Sequence, residues 1–266
     1  MTKSNKKYIL FGLISIVFTV ALYFIGMTLI AKFINNALVS TIVDIVFKMV
    51  IGIGIIFLLK FVLKISHIGL GYKGIIYGLF IYGAMATLYI ILNYISGISE
   101  FDRTFMQALP YLVLFFFMCL GIGFVEEMIF RGLVLNFFKK LLCNHKCGVI
   151  VSIIISSVLF GMCHLLNLIS TPNMIVSTIV QVLYASIIGA YFAVIYIKSG
   201  NIWAPIILHT VFDYVYYIWF AFSNEAIINA MTDITVFQGV ISIVLYLPMI
   251  VWSVIVYMGL FDFNKQ

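Results

Sequence analysis

The sequence is short of charged residues. Only 9% of its 266 residues are Asp, Glu, Lys or Arg, whereas 65% are hydrophobic and the mean hydropathy is +1.23. A soluble domain normally carries about a quarter charged residues. This composition therefore excludes a soluble globular protein and predicts a polytopic membrane protein.

Several features of other protein classes are also missing. The net charge of +6 comes from cations that stand singly or in pairs at the ends of apolar runs, which suits membrane orientation rather than a phosphate-tracking patch. We therefore expect no nucleic-acid partner. No linker, low-complexity tract or soluble insertion interrupts the chain, so residues 1–266 are predicted to form a single integral membrane domain.

Cysteine is scarce, and its placement does not predict disulfides. The four cysteines lie in apolar runs or in a predicted cytoplasmic loop, where free thiols are expected. Cys143 and Cys147 flank His145 at a spacing seen in metal sites, but no fourth ligand is nearby. We therefore predict no structural metal there.

Long apolar runs fill the sequence. The first, from about Tyr8 to Ile34, is too long for a signal peptide and is interpreted as a membrane span. The alternating pattern of a membrane barrel is absent, so we predict an all-α, polytopic transmembrane bundle of about eight helices. The predicted spans are 8–34, 40–63, 72–95, 109–138, 147–167, 174–197, 202–221 and 235–260.

The cations are distributed unequally between the two sides of this predicted bundle. With a cytoplasmic N-terminus, eleven cations face the cytoplasm and only Lys32 and Arg103 face the other side, together with Glu100, Asp102, Glu225 and Asp233. This bias predicts cytoplasmic termini, and the Lys- and Ile-rich, Ala-poor composition favours a bacterial cell membrane. The eleven are Lys3, Lys6, Lys7, Lys60, Lys64, Lys73, Lys139, Lys140, Lys146, Lys198 and Lys265.

Few ionisable residues remain inside the spans, where each is costly and needs a partner. Asp44 and Lys48 are four residues apart and are expected to neutralise each other, outside any functional site. Glu127 and Arg131 have the same spacing and predict a second ion pair, whereas Glu126 is rotated by about 100° and faces elsewhere. The full set is Asp44, Lys48, Glu126, Glu127, Arg131, His164, His209 and Asp213.

Two further spans supply histidines. Phe160 stands one turn before His164, and His209 stands one turn before Asp213, so each pair shares a helix face. Glutamate and histidine side chains on three spans suit hydrolysis, with a glutamate as general base on a water and histidines orienting the water or stabilising an oxyanion. The same residue types also suit a zinc site. The sequence leaves the metal-free and zinc mechanisms open.

The protease signatures HExxH and GxSxG are absent. The ordered combination EExxxR, FxxxH and HxxxD instead resembles the CPBP family of intramembrane proteases, which includes type II CAAX prenyl endopeptidases and bacteriocin-processing and immunity proteins. In this chain it reads Glu126-Glu127-x-x-x-Arg131, Phe160-x-x-x-His164 and His209-x-x-x-Asp213. The resemblance covers a predicted catalytic core at about 110–215.

The resemblance implies a role for each motif residue. Glu126 would activate water with His164 as its partner, Glu127 and Arg131 would fix the geometry or charge of Glu126, and Phe160 would pack beside His164. His209 and Asp213 would complete the water or oxyanion site. Asp213 replaces the Asn of prenyl proteases, which argues against prenylated substrates. We expect a membrane-associated peptide or protein as substrate.

Two other functions are compatible with parts of this pattern. A non-catalytic immunity or regulatory protein could use the same fold, and a proton- or ion-coupled transporter could use buried Glu, His and Asp. No inverted repeat supports the transporter. One feature fits the proposed catalytic site poorly: straight helices with the predicted ends would place Glu126, His164 and His209 at depths of roughly 18, 26 and 12 Å. This predicts a tilt, a later start or a recessed loop for the span of His164.

Overall fold

A computed structural model describes residues 3–65, 67–96, 102–224 and 233–259, and these residues contain helices and no strand. Three π-helical segments (Leu58–Val62, Tyr77–Tyr82, Met128–Leu135) and a 3₁₀ turn (His164–Leu166) adjoin the α-helices. The predicted all-α class is confirmed. The helices are α1 (Lys3–Phe33), α2 (Ala37–Phe57), α3 (Ala84–Ser96), α4 (Phe105–Glu127), α5 (Asn136–Leu141), α6 (Gly148–Cys163), α7 (Asn167–Ser170), α8 (Ile175–Ser199), α9 (Trp203–Phe222) and α10 (Val236–Tyr257).

Seven helical stretches in the described part of the chain are long and apolar enough to cross a membrane. The predicted third span is different, because it is interrupted at Gly83 between the π segment Tyr77–Tyr82 and α3. A Cβ at Gly83 would lie only 2.5 Å from the Leu79 carbonyl oxygen, so the break depends on glycine. The seven stretches are Lys6–Phe33, Ala37–Val62, Phe105–Leu141, Gly148–Ser170, Ile175–Ser199, Trp203–Phe222 and Val236–Tyr257.

Contacts between connecting segments define two ends of the bundle. The first, called here the lysine-rich end, contains the start of α1 and the segments 63–74, 139–148 and 198–202. Lys140 Nζ donates to the Leu63 carbonyl at 3.0 Å and lies 4.7 Å from the Tyr8 ring centroid. At the opposite end, the Asp102 and Arg103 N–H groups donate to the Phe222 carbonyl, both at 3.1 Å.

The interrupted third passage connects these two ends. A Cβ at Gly78 would lie 2.4 Å from Ala204 Cβ, near the start of α9. Tyr94, near the end of α3, has its ring centroid 5.0 Å from that of Trp219, near the end of α9. In its described residues the chain therefore passes between the ends eight times, seven times as a long helical stretch and once as the interrupted one.

The predicted charge asymmetry coincides with these ends in the described residues. The lysines assigned to one side lie at the lysine-rich end, whereas Lys32, Arg103, Asp102 and Asp233 lie at the other. The predictions for Glu100, Glu225 and Lys265 lie outside the described residues. The charge pattern thus distinguishes the two ends of the folded bundle.

The core surrounds the continuous helical stretch from Phe105 to Leu141. All residues of its π segment, Met128–Leu135, are buried. Glycines allow close helix contacts there: a Cβ at Gly123 would lie 2.7 Å from Thr210 Oγ1 on α9, and one at Gly161 would lie 2.4 Å from the Val182 carbonyl oxygen on α8. Such small-residue contacts bring membrane helices together, and here they bring together the helices that carry the three motifs.

Candidate active site

The two glutamates lie where the long central helix changes from α to π geometry. Helix α4 ends at Glu127, and the π segment begins at Met128. A π segment shifts carbonyl groups out of the regular ladder, and inside a membrane they need other donors. Ser156 Oγ donates to the Phe130 carbonyl at 2.7 Å, and Asn136 Nδ2 donates to the Arg131 and Gly132 carbonyls at 3.1 and 3.0 Å.

Glu127 and Arg131 form the ion pair that their spacing predicts. Arg131 Nη1 lies 2.9 Å from Glu127 Oε1, and both side chains are completely buried. Arg131 Nη2 donates to the Gly189 carbonyl on α8 at 3.0 Å, and its guanidinium lies 4.8 Å from the centroid of the Phe160 ring on α6. The pair therefore connects the central helix to two other helices.

The imidazole ring of His209 lies close to three carboxylates, those of Glu126, Glu127 and Asp213. Its Nδ1 donates to Glu127 Oε1 at 2.8 Å. Its Nε2 lies 3.5 Å from Asp213 Oδ2 and 3.8 Å from Glu126 Oε2. Glu127 thus has a contact beyond the predicted ion pair, since the same oxygen meets Arg131 and His209. That shared oxygen fixes the orientation of the imidazole ring.

Glu126 is held differently from its neighbour. The Tyr23 hydroxyl of α1 donates to Glu126 Oε1 at 3.0 Å, while Oε2 faces His209. The Glu126 side chain is 15% exposed, whereas that of Glu127 is 0% exposed. Glu126 is therefore the glutamate of the pair that another molecule can reach.

His164 packs against the ring of Phe160, and the same ring packs against His209. The imidazole ring is perpendicular to the Phe160 ring, with centroids 5.3 Å apart, and the Phe160 centroid lies 5.9 Å from that of His209. His164 Nδ1 donates to the Phe160 carbonyl at 3.1 Å, which leaves Nε2 as the free acceptor in the neutral ring. Within the described part of the chain, neither an ion pair nor a hydrogen bond joins His164 to Glu126.

The span of His164 starts close to its predicted position. Helix α6 begins at Gly148, one residue after the predicted start. The turn before α9 is instead buried, with Asn201 1% and Ile202 0% exposed. Asn201 Nδ2 donates to the carbonyls of Gly71 and Lys73 at 2.6 and 2.8 Å. The segment 63–74 therefore covers the turn before α9, and the expected tilt or recessed loop for the span of His164 stays a prediction.

The Asp44–Lys48 ion pair is also present and lies beside the site. Both residues are on α2, where Lys48 is buried and Asp44 lines a cavity of about 230 Å³ between α1, α2 and α4. No hydrogen bond or ion pair joins either residue to the motif residues among those described.

The zinc mechanism needs several His, Cys, Asp or Glu side chains that are close enough to share one metal ion. Within the described residues, no group of three or more His, Cys, Asp and Glu side chains is positioned to hold a metal ion. Cys143 and Cys147 are exposed, and all four cysteines are free.

Tyr23 was not predicted from the sequence. It lies in the first span, more than a hundred residues before its partner, and no motif spacing connects the two. The only signal was the residue type, because a buried tyrosine hydroxyl needs a hydrogen-bond partner. Asn136 was missed for a related reason: its role depends on the π segment, which no periodicity in the sequence indicates.

Comparison with known proteins agrees with the motif pattern. Residues 108–215 match the family model described as type II CAAX prenyl endopeptidase Rce1-like. The matched segment contains all three motifs, and the resemblance to CPBP-family proteases is confirmed. The match supports a peptidase at the level of enzyme class. Comparisons with curated proteins and with solved structures found no significant match.

Proposed function

We propose that this protein is an intramembrane endopeptidase that hydrolyses a peptide bond of a membrane-associated peptide or protein. The observation that carries the proposal is the contrast between the adjacent glutamates. Glu127 is completely buried against Arg131 and His209, whereas Glu126 is partly exposed and keeps Oε2 outside the Tyr23 hydrogen bond. A general base must reach a water and a substrate, and Glu126 has that access.

The proposed reaction uses one water molecule. Glu126 accepts a proton from the water, and the water oxygen forms a bond to the scissile carbonyl carbon. The proton then passes to the leaving nitrogen as the carbon–nitrogen bond breaks, giving a carboxyl group and an amine. His164, with Nδ1 already donating to a backbone carbonyl, orients the water through Nε2.

His209 stabilises the oxyanion in this proposal. Its Nδ1 is fixed by Glu127, and its Nε2 faces the Glu126 side of the site. A preoriented donor in a water-poor site stabilises developing negative charge strongly. Asp213 Oδ2 lies 3.5 Å from Nε2 on the same side of the ring, and Glu127 with Arg131 keeps that ring in place.

The substrate class follows from the third motif and the membrane setting. Asp213 occupies the position where prenyl proteases carry Asn, and a carboxylate cannot donate a hydrogen bond as an amide does. We therefore propose a membrane-associated peptide or protein rather than a prenylated one. The lysine-rich end is proposed to face the cytoplasm of a bacterial cell membrane, with both termini on that side.

The test compares separate Glu126→Gln and His164→Ala variants with the wild-type chain in proteoliposomes. Membrane proteins extracted from the expression host serve as substrates, and new protein termini are measured by mass spectrometry. Both variants should lose processing, while Asp102→Asn at the opposite end should retain it. Normal processing by both site variants would refute the mechanism. If cells kept their phenotype with Glu126→Gln, the protein would be a non-catalytic immunity or regulatory protein.

A further inference from the structure

The lysine-rich end has no compensating carboxylate in the described chain. The acidic residues described are Asp44, Asp102, Glu126, Glu127, Asp213 and Asp233, and all of them lie inside the bundle or toward the opposite end. The lysines at the lysine-rich end include Lys6, Lys7, Lys60, Lys64, Lys73, Lys139, Lys140 and Lys146. Among the described residues, this end therefore carries more positive than negative charge, which suits an anionic partner.

A cavity of about 280 Å³ opens at this end, between the segment 63–74, α5 and the end of α8. Its volume is near the lower limit of about 300 Å³ for small-molecule pockets, which suits a headgroup-sized ligand. No carboxylate contributes to its wall. The lining residues are His67, Gly69, Asn136, Lys139, Tyr196, Ile197 and Gly200.

Three side chains can donate hydrogen bonds into the cavity. Lys139 and His67 have no hydrogen-bond or ion-pair partner among the described residues. The Tyr196 oxygen accepts from Asn136 Nδ2 at 2.8 Å, so its own O–H remains able to donate. By contrast, the neighbouring Lys140 already donates to the Leu63 carbonyl. The cavity thus combines the Lys139 cation with two further donors, a set that suits phosphate oxygens.

We propose that this cavity binds a phosphate group, supplied by the headgroup of an anionic phospholipid. Lys139 provides the charge, and His67 and Tyr196 provide additional hydrogen bonds. Basic pockets between membrane helices are suited to lipid headgroups because they lie at the depth of the phosphates. The site is separate from the proposed peptidase chemistry, and its test does not depend on peptidase activity.

Asn136 connects the cavity to the central helix. It lines the cavity, and its Nδ2 also donates to the Arg131 and Gly132 carbonyls of the π segment. A bound phosphate would therefore contact the residue that satisfies the backbone beside the candidate active site. Ligand binding should accordingly raise the thermal unfolding temperature of the whole protein.

The experiment measures thermal unfolding of the purified full-length chain in neutral detergent. The probes are short-chain phosphatidylglycerol, short-chain phosphatidylcholine and inorganic phosphate, each titrated separately. Phosphatidylglycerol should raise the unfolding temperature of the wild type more than phosphatidylcholine does. Lys139→Gln should weaken its apparent affinity roughly tenfold, the loss of one charge-assisted hydrogen bond, and Lys139→Arg should restore most of it.

The matched control is Lys146→Gln, which removes the same charge from an exposed position outside the cavity and should leave the affinity unchanged. His67→Asn gives a second test should Lys139→Gln fail to fold. If inorganic phosphate alone produces a shift that depends on Lys139, the phosphate chemistry holds and the ligand is soluble. Equal losses in Lys139→Gln and Lys146→Gln, or no shift with any probe, would overturn the proposal.

Discussion

The ion pair of α2 and the ion pair of the central helix have the same spacing but different surroundings. Asp44 and Lys48 pair with each other, and no other helix donates to or accepts from them in the described chain. Arg131 and Glu127 also contact Gly189 on α8 and His209 on α9. Identical spacing in sequence therefore gives a local pair in one case and a junction of helices in the other.

This difference shows what burial adds to a charged pair. The Asp44 side chain is 20% exposed beside a cavity, whereas both members of the Glu127–Arg131 pair are 0% exposed. A charge that loses its partner in a completely buried site cannot be rehydrated. Variants that remove one partner should thus separate the two pairs clearly.

The largest effect is expected for Arg131→Met. Removing the guanidinium leaves the Glu127 carboxylate buried without its cation and removes the hydrogen bond to the Gly189 carbonyl. Breaking a buried pair costs about 3–5 kcal/mol, so the variant should accumulate poorly and unfold at a much lower temperature. Adding Glu127→Gln to this variant should recover part of the loss. A single variant as stable as the wild type would show that the junction is not needed.

The next largest effect is expected for Tyr23→Phe, which removes the hydrogen bond from α1 to Glu126. The hydroxyl donates to Glu126 at 3.0 Å. Losing one hydrogen bond to a charged group, about 1.5–3 kcal/mol, should lower the proposed hydrolysis about tenfold or more, while circular dichroism stays unchanged. Tyr89→Phe, whose ring stacks on Tyr246, is the matched control and should keep full activity. Equal rates for both variants would remove Tyr23 from the site.

A smaller effect is expected for the double variant Asp44→Asn with Lys48→Met. Both charges disappear together, so no unpaired charge remains, and no third residue loses an ionic partner. Replacing a pair by neutral groups of similar size is often close to neutral. The unfolding temperature should change far less than in Arg131→Met, and a comparable fall would show that the α2 pair is also a junction.

The smallest effect is expected for a variant of Asp233, an exposed residue at the end of the bundle opposite the lysine-rich end. The hydroxyl and the backbone N–H of Ser177 both donate hydrogen bonds to the Asp233 carboxylate. These hydrogen bonds hold the pKa of the Asp233 carboxyl below its usual value. A lowered pKa stabilises the fold above the unfolded value of about 3.9, and this contribution disappears as the pH falls through the lowered pKa. Asp233→Asn should therefore lower the unfolding temperature slightly at neutral pH and not in strong acid. A difference that persists in acid would contradict this assignment.

The motif residues and the helical class could be predicted because each depends on local spacing. Glu127 and Arg131, or His209 and Asp213, share a face on any regular helix. The break at Gly83 and the buried turn at Asn201 could not be predicted, since both depend on contacts with distant segments. The same holds for Tyr23, whose partner lies on another helix. Spacing finds pairs within one helix, whereas tertiary packing decides which pairs meet.

The central claim is that Glu126 activates a water for peptide hydrolysis. Its most direct test is to incubate proteoliposomes with host membrane proteins in water labelled with a heavy oxygen isotope. Mass spectrometry then reads the new C-terminal carboxyl groups. The wild type should generate termini that carry one heavy oxygen, and Glu126→Gln should generate none. Labelled termini formed by Glu126→Gln at the wild-type rate would contradict the claim.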